Sequence, residues 1–230
     1  MAIFDRVKTL IGEDRLNILK RSHVAVFGVG GVGGFAVEGL VRSGVGKITV
    51  FDNDKVSITN VNRQIIATTL TVGQDKTDLI KKRALDINPN VEIIANKVFY
   101  MPENADNYSL NEYDFIIDAI DTVTAKIELI CRAVNDGVKI ISSMGTGGKT
   151  DISALKQTTL SKTSECPLAR VMRRELKKRN VADIPVVFST EKSIGETETD
   201  HGRPVPSSLI FVPATAGLML ANYVVKELRK

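Results

Sequence analysis

Residues 24–64, VAVFGVGGVGGFAVEGLVRSGVGKITVFDNDKVSITNVNRQ, decide the fold. An uninterrupted apolar run, Val24-Ala25-Val26-Phe27, meets Gly28-Val29-Gly30-Gly31-Val32-Gly33. A helical run follows to about Ser43, and a second apolar run, Ile48-Thr49-Val50-Phe51, ends on Asp52. Strand, glycine turn, helix, strand and terminal acid together make a nucleotide-binding βαβ unit. Its glycines have separate tasks: Gly28 permits the tight turn, Gly30 lets backbone N–H groups approach a phosphate, and Gly33 lets the helix close on the strand. Asp52 falls about 20 residues beyond the last glycine, where a carboxylate grips ribose hydroxyls. NAD, FAD and ATP all remain open on these residues.

Composition bounds the rest. The 230 residues are 43% hydrophobic and 25% charged, an ordinary globular balance with apolar side chain enough for one large core. A formal charge of +4 permits an anionic partner without demanding one. Cys131 and Cys166 form no CxxC pair, so a four-thiolate zinc site and a disulfide framework are both out of reach, and a reduced cytoplasm is expected. Residues 1–21 carry charges throughout and lack a signal-peptide core, while the apolar stretch at 214–225 is too short to span a bilayer. No membrane association is expected.

Around the opening unit, residues 4–19 read as helical with a break at Gly12 and an apolar face of Ile3, Val7, Leu10 and Ile11. Arg6 lies opposite that face, where a solvated charge is the plain reading. The polar segment 52–64 follows the carboxyl end of a parallel strand, where open α/β sheets bind ligands. Thr71 and Gln74 suggest a capping box for a helix whose buried stripe is Ile80, Ala84 and Ile87. Lys76 stands in its first turn, against a macrodipole that disfavours a cation by up to ~1 kcal/mol; a bound anion or an exposed lysine would each account for it. Strands are expected at 91–98, 115–120 and 138–142, with a loop and short helix at 102–110. A helix at 123–136 directs Ile127, Ile130, Cys131 and Val134 inward and is capped by Gly137. This alternation implies a parallel sheet with helices on both faces.

Beyond residue 143 the pattern changes. Residues 144–148 form a flexible glycine loop, and 152–160 alternate as a half-exposed antiparallel strand. Pro167 opens a helix with Leu168, Val171, Met172 and Leu176 on one face and Arg170, Arg173, Arg174, Lys177, Lys178 and Arg179 elsewhere. That basic face suits nucleic-acid phosphates or plain solvent. A strand at 185–189, a long surface loop at 190–206 and a helix opened by Pro213 complete the chain. His23 reads as structural and His201 as a loop residue; neither belongs to a triad or metal cluster. No linker divides the chain, so a single domain, 1–230, is expected: a helical arm at 1–22, a nucleotide-binding part at 23–143 and a substrate-binding, crossover-loop part at 144–230.

The glycine turn, Asp52 and the Asn60-Val61-Asn62-Arg63-Gln64 string together resemble the adenylating superfamily related to ubiquitin-activating enzymes, the ThiF, MoeB and HesA group. The resemblance covers nearly the whole chain. It implies an α/β, Rossmann-like ATP-binding fold: a parallel sheet extended by antiparallel strands in the C-terminal part, helices on both faces. It also implies ATP with Mg2+ and adenylation of a carboxylate. Gly28, Gly30, Gly31, Gly33 and Gln64 would line the nucleotide, and Asp52 would hold its ribose. Asn60 would touch the phosphates, Arg63 and Lys76 would neutralise them, and Asp121 would stand near the metal and the reacting phosphate. Arg6 would reach the ATP of a neighbouring subunit in a homodimer.

The paired CxxC zinc ligands of ThiF- and MoeB-like members are missing, so no zinc is expected. Cys166, at a helix start that favours a thiolate, matches an ordinary residue of close relatives rather than a nucleophile. Leu10-Ile11-Gly12-Glu13, Asp118-Ala119-Ile120-Asp121, Pro167-Leu168-Ala169-Arg170 and Phe211-Val212-Pro213 resemble the tRNA threonylcarbamoyladenosine dehydratase branch. The resemblance implies ATP-dependent cyclisation of that nucleoside beside the anticodon, with the anticodon loop meeting Arg170, Arg173, Arg174, Lys177 and Lys178, and a sulfur-transfer protein as a further partner. Adenylation of a small sulfur-carrier protein's C-terminal glycine is the alternative; an NAD-dependent oxidoreductase and a regulatory nucleotide-binding module stand further off.

Overall fold

The computed structural model describes residues 2–181, 183–194, 197–200 and 203–230, the segments 197–200 and 203–206 by backbone alone. Apolar runs become buried strands: β1 (His23–Phe27), β2 (Lys47–Phe51), β3 (Glu92–Asn96), β4 (Phe115–Asp118) and β5 (Ile140–Ser143). With β6 (Leu155–Thr159) and β7 (Pro185–Ser189) they form a seven-stranded sheet, ordered β3-β2-β1-β4-β5-β7-β6. All neighbours are parallel except β6, which pairs antiparallel with β7. The order reverses between β1 and β4, the switch point at which such sheets open a crevice at their carboxyl ends.

Alternation along β1 sends Val24 and Val26 into one core and Ala25 and Phe27 into the other. The first core is closed by α3 (Gly33–Ser43), α4 (Lys76–Ile87) and α7 (Phe211–Leu228), the second by α5 (Val123–Asn135) and α6 (Pro167–Lys178). Helix α7 lies along α3: a Cβ on Gly217 would stand 2.2 Å from the Val32 carbonyl oxygen, so only glycine permits the approach. Before β1 stand two short helices, α1 (Asp5–Ile11) and α2 (Glu13–Arg21), broken at Gly12 with φ of 88°.

Several local expectations are corrected. Along the apolar face expected over residues 3–19, Ile3 is 58% and Leu10 84% exposed, Ile11 is half-buried against the core, and Leu16 and Leu19 of α2, the expected continuation of that face, are buried. Helix α5 turns Ala125, Lys126, Leu129, Ile130 and Ala133 to the interior. Its stripe of Ile127, Cys131 and Val134 is only half-buried, at the edge of that core where α5 meets α6. Thr71 and Gln74 form no capping box; α4 starts at Lys76, Thr71 accepts from the Thr68 amide, and Gln74 donates to the Leu70 carbonyl. Asp151 accepts from the Ser153 amide and holds 152–154 as a 3-10 turn, so the antiparallel strand begins at Leu155. Pro213 falls inside the first turn of α7, not at its start. The loop expected over 190–206 contains a two-stranded ribbon, β8 (Thr197–Asp200) and β9 (Arg203–Pro206), while His201 lies outside the described residues.

Candidate active site

The carboxyl ends of β1 to β4 converge on one cleft. Its lining comes from Phe27, Gly28 and Gly30, then Phe51 to Asp54, then Val98 to Tyr100, then Ala119 to Thr122, with Gln64 and Lys76 from the connection between β2 and β3. The glycine turn is tight because its parts nearly touch: a Cβ on Gly33 would lie 1.7 Å from the Gly28 carbonyl oxygen. Gly33 therefore sits under the cleft rather than in its wall. The Phe27 and Phe51 rings stack at 4.2 Å and give the cleft an apolar floor.

Asp52 accepts from the Val29 amide at 2.8 Å with one oxygen and from the Asp54 amide at 2.8 Å with the other, tying the glycine turn to the end of β2. Burial pushes its carboxyl above the ordinary aspartate value, against the pull of Lys76 and of the two amides. Lys76 is 5% exposed, and its ammonium donates to Asp54 at 2.7 Å. An almost buried lysine at a helix start, held by an exposed carboxylate, is a cation that an incoming phosphate can take over at little cost. Gln64 is buried with its carboxamide oxygen unpartnered, beside Gly30.

A second cleft adjoins the first, lined by Gly31, Val32, Arg63, Ser143 to Gly147, Leu168, Ser208 and Pro213. The two share Ala119, Ile120, Asp121 and Thr122. Asp121 is exposed on this shared edge. Arg63 belongs to the second cleft, donating to the Thr59 carbonyl at 2.7 Å and to Asn62 at 3.0 Å; burial lowers its pKa, yet a guanidinium keeps its charge. The glycine loop expected to be flexible is pinned. The Gly148 amide donates to Ser207, the Ile194 amide to Gly148, each at 2.7 Å, and the buried Lys149 donates to the Glu191 carbonyl.

Gly28, Gly30, Asp52, Gln64, Lys76 and Asp121 thus meet in the first cleft, and Gly31, Arg63 and Asp121 in the second. Asn60 lines neither: its carboxamide oxygen accepts from the Ser57 amide and caps a 3-10 turn that carries Arg63 and Gln64. Arg6 is exposed at the opposite end of the sheet, since α1 leans through Phe4 on Gly44, where α3 ends and β2 is about to begin. Of the basic residues of α6, Arg174, Lys178 and Arg179 all pair with Glu175, and Arg173 bonds Thr163. Cys166 is buried at the start of α6. Among the described residues no group of three or more His, Cys, Asp or Glu side chains is placed to hold a metal, and no helix is long and apolar enough to cross a membrane.

Sequence reasoning missed Asp54, Phe99 and a buried trio beneath the shared edge: Asp118, Lys126 and Ser142. Asp54 carried a signal, two positions beyond the strand-ending Asp52. Lys126 carried one too, a lysine spaced with Leu129, Ile130 and Ala133 on a single helix face.

A glycine turn under a switch-point crevice, with a lysine, an arginine and an acid around adjoining clefts, defines a nucleotide-binding α/β protein arranged for phosphate chemistry. Residues 5–230 match the ThiF family, and the chain belongs to it. The chain is 43% identical to a Bacillus subtilis tRNA threonylcarbamoyladenosine dehydratase, over 99% of this chain and 94% of the relative. A Haemophilus influenzae protein of the same name is 37% identical over 99% and 93%. The solved Escherichia coli tRNA N6-threonylcarbamoyladenosine dehydratase in complex with ATP superposes with a TM-score of 0.88 at 32% identity, covering 98% of this chain and 93% of that one.

Proposed function

We propose that this protein is an ATP-dependent tRNA threonylcarbamoyladenosine dehydratase that adenylates the threonine carboxylate and closes the ring. One observation carries the reading: the nucleotide cleft and a second cleft meet on Asp121, as two substrates must meet at a phosphorus atom. Full-length similarity to relatives of that name supports it.

In this reading, the backbone amides of the glycine turn and the α3 N-terminus receive phosphate oxygens, and Asp52 accepts the ribose hydroxyls. Val98 and Phe99 flank the base. Lys76 leaves Asp54 for the triphosphate, and Arg63 faces it from the second cleft, so that anionic repulsion no longer blocks the carboxylate. The carboxylate oxygen attacks the α-phosphorus and pyrophosphate leaves. The carbamoyl nitrogen or oxygen then attacks the acyl carbon, and AMP leaves with the carboxylate oxygen. The product is an internal ring, so no protein nucleophile is required, and Cys166 stays in the core. No sulfur enters these steps; a sulfur-transfer partner would act outside them.

Mg2+ fits the donor set, since one carboxylate with phosphate oxygens is a usual arrangement for that ion; Asp121 would hold it, and it would supply charge neutralisation at the phosphates. Arg6 cannot serve its own cleft from the far end of the sheet, so a homodimer lends it across the interface. Exposed Ile3, just before α1, and Leu10 on α1, with Phe211 and Leu218 on α7, offer apolar surface for that contact. Arg170 and Lys177, exposed on α6, lead the anticodon-loop contact, because Glu175 engages Arg174 and Lys178 and Thr163 engages Arg173. A tRNA substrate implies a cytoplasmic protein.

Nucleoside mass spectrometry of threonylcarbamoylated tRNA incubated with protein and ATP tests the reading. The expected result is an ATP-dependent product lighter by one water. Pyrophosphate exchange seen solely on addition of a small Gly-Gly-tailed carrier protein would replace it with carrier activation.

A further inference from the structure

The Asp118, Lys126 and Ser142 side chains are fully buried, and their chemistry is not used by the nucleotide site. Lys126 donates to Asp118 Oδ2 at 2.7 Å and to Ser142 at 3.0 Å, while the Ser142 hydroxyl donates to the same Oδ2 at 2.6 Å. The other carboxylate oxygen, Oδ1, accepts from the Ile120 amide at 3.1 Å. That amide belongs to the four-residue edge shared by both clefts, one position before Asp121.

An ion pair taken wholly out of water is a poor way to gain stability, because desolvation offsets the attraction; an apolar replacement of similar volume often does as well. Stability alone therefore does not explain the trio, and its geometry supplies another purpose. The edge 119–122 is a short turn between the last residue of β4 and the first of α5. Its first amide, that of Ala119, donates to Phe27. The next, that of Ile120, depends on Asp118. Two donors from β5 and α5 lock Oδ2, so the carboxylate cannot rotate, and Oδ1 is left aimed at the turn. Strand, helix and turn are fixed to one another through a single side chain.

We infer that Asp118, held by Lys126 and Ser142, is a positioning residue that fixes the backbone turn presenting Asp121 to both clefts. Its effect on turnover rests on the proposed function, whereas its effect on the turn does not. Catalytic groups lose rate steeply when displaced, so a loosened turn costs turnover rather than nucleotide affinity, which the glycine turn, Asp52 and Lys76 supply.

Two paired variants test it. D118N/K126M removes both charges but keeps a side-chain carbonyl for the Ile120 amide and a partner for Ser142. D118A/K126M removes the carbonyl as well, leaving an uncharged core. The expected result is that the Asn pair keeps kcat within about threefold. The Ala pair should lose about 100-fold in kcat with the KM for ATP little changed. In both, thermal midpoints are measured, and amide hydrogen exchange is followed over 119–122; exchange should rise there in the Ala pair and stay at the wild-type level in the Asn pair. Equal kcat in the two pairs, or unchanged exchange over 119–122 in a folded Ala pair, would overturn the inference. If the Ala pair fails to fold, Ser142→Ala gives the milder release of Oδ2, and unaltered exchange with unaltered kcat overturns the inference equally. A wild-type protein that does not cyclise its tRNA substrate overturns the functional reading alone, since the exchange measurement needs no substrate.

Discussion

In the first cleft, most lining residues lie within a few positions of a strand end: Gly28 and Gly30 follow β1, Asp52 follows β2, Phe99 follows β3, Asp121 follows β4. In the second, the wall at 145–147 is held from a distance. Lys149 reaches Glu191, 42 positions on, and Ser193 reaches Gly147 across 46. A parallel sheet with a glycine turn builds the first site by local rules, whereas the second exists once remote segments have closed over it. The nucleotide end should therefore be intolerant of single-atom changes and the substrate end forgiving.

Gly33→Ala should break the first half outright. A methyl 1.7 Å from a carbonyl oxygen forces α3 from the sheet, at a cost of about 3 kcal/mol or more. Thermal unfolding reads it, and an unchanged midpoint would refute the close-packed turn. Asp121→Ala should lower turnover by about 1000-fold on the scale of a lost electrostatic stabiliser, while calorimetry finds ATP affinity within a few-fold. Equal loss of both would put Asp121 in binding instead. Mixing Arg6→Ala with Lys76→Ala subunits should restore about one quarter of wild-type activity, because half the dimers are mixed and each has one intact site. No recovery would return Arg6 to the role of a surface charge.

For the second half, Lys149→Met leaves the Glu191 carbonyl without its partner and should cost about 1–2 kcal/mol. ATP affinity should be unchanged and tRNA turnover reduced; weakened ATP binding would mean the two halves are not separable. The smallest effect concerns pH. Asp52 takes up a proton more readily than an ordinary aspartate, so its ribose-accepting form is lost, as pH falls, above the usual value of 3.8. The KM for ATP should rise on that limb, and Asp52→Asn should remove the limb while raising KM at neutral pH.

The same contrast explains what the sequence disclosed. Strand runs, the glycine turn and the place of Asp52 at a strand end were readable because period and position act within about 30 residues of chain, the span of one βαβ unit; position singled out Lys76 without giving it a task, and Asp121 was identified by resemblance. The β8–β9 ribbon was not, since Thr197-Glu198-Thr199-Asp200 has no apolar alternation and its strands are fixed by pairing with each other. Lys126 received no reading, because its partner Asp118 lies across the sheet-helix layer rather than on its own helix. The inward face of α5 was right at Ile130 and misjudged at Ile127, Cys131 and Val134, because the neighbouring α6, which half-covers them, is not visible from the period of α5 alone. Arg6 was identifiable by resemblance, and local chemistry gave it no task.

Gly217 set against the Val32 carbonyl carries a consequence for biosynthesis. The helix that begins the nucleotide site is covered by residues 211–228, so a nascent chain must keep the outer face of α3 bare until those residues have left the ribosome. Vectorial synthesis can pair β1 with β2 early, but the nucleotide-binding end is sealed only once α7 has emerged. Until then, Val32, Ala36, Gly39 and their neighbours are open to chaperones, and a message truncated before α7 would yield a chain whose glycine turn has no backing.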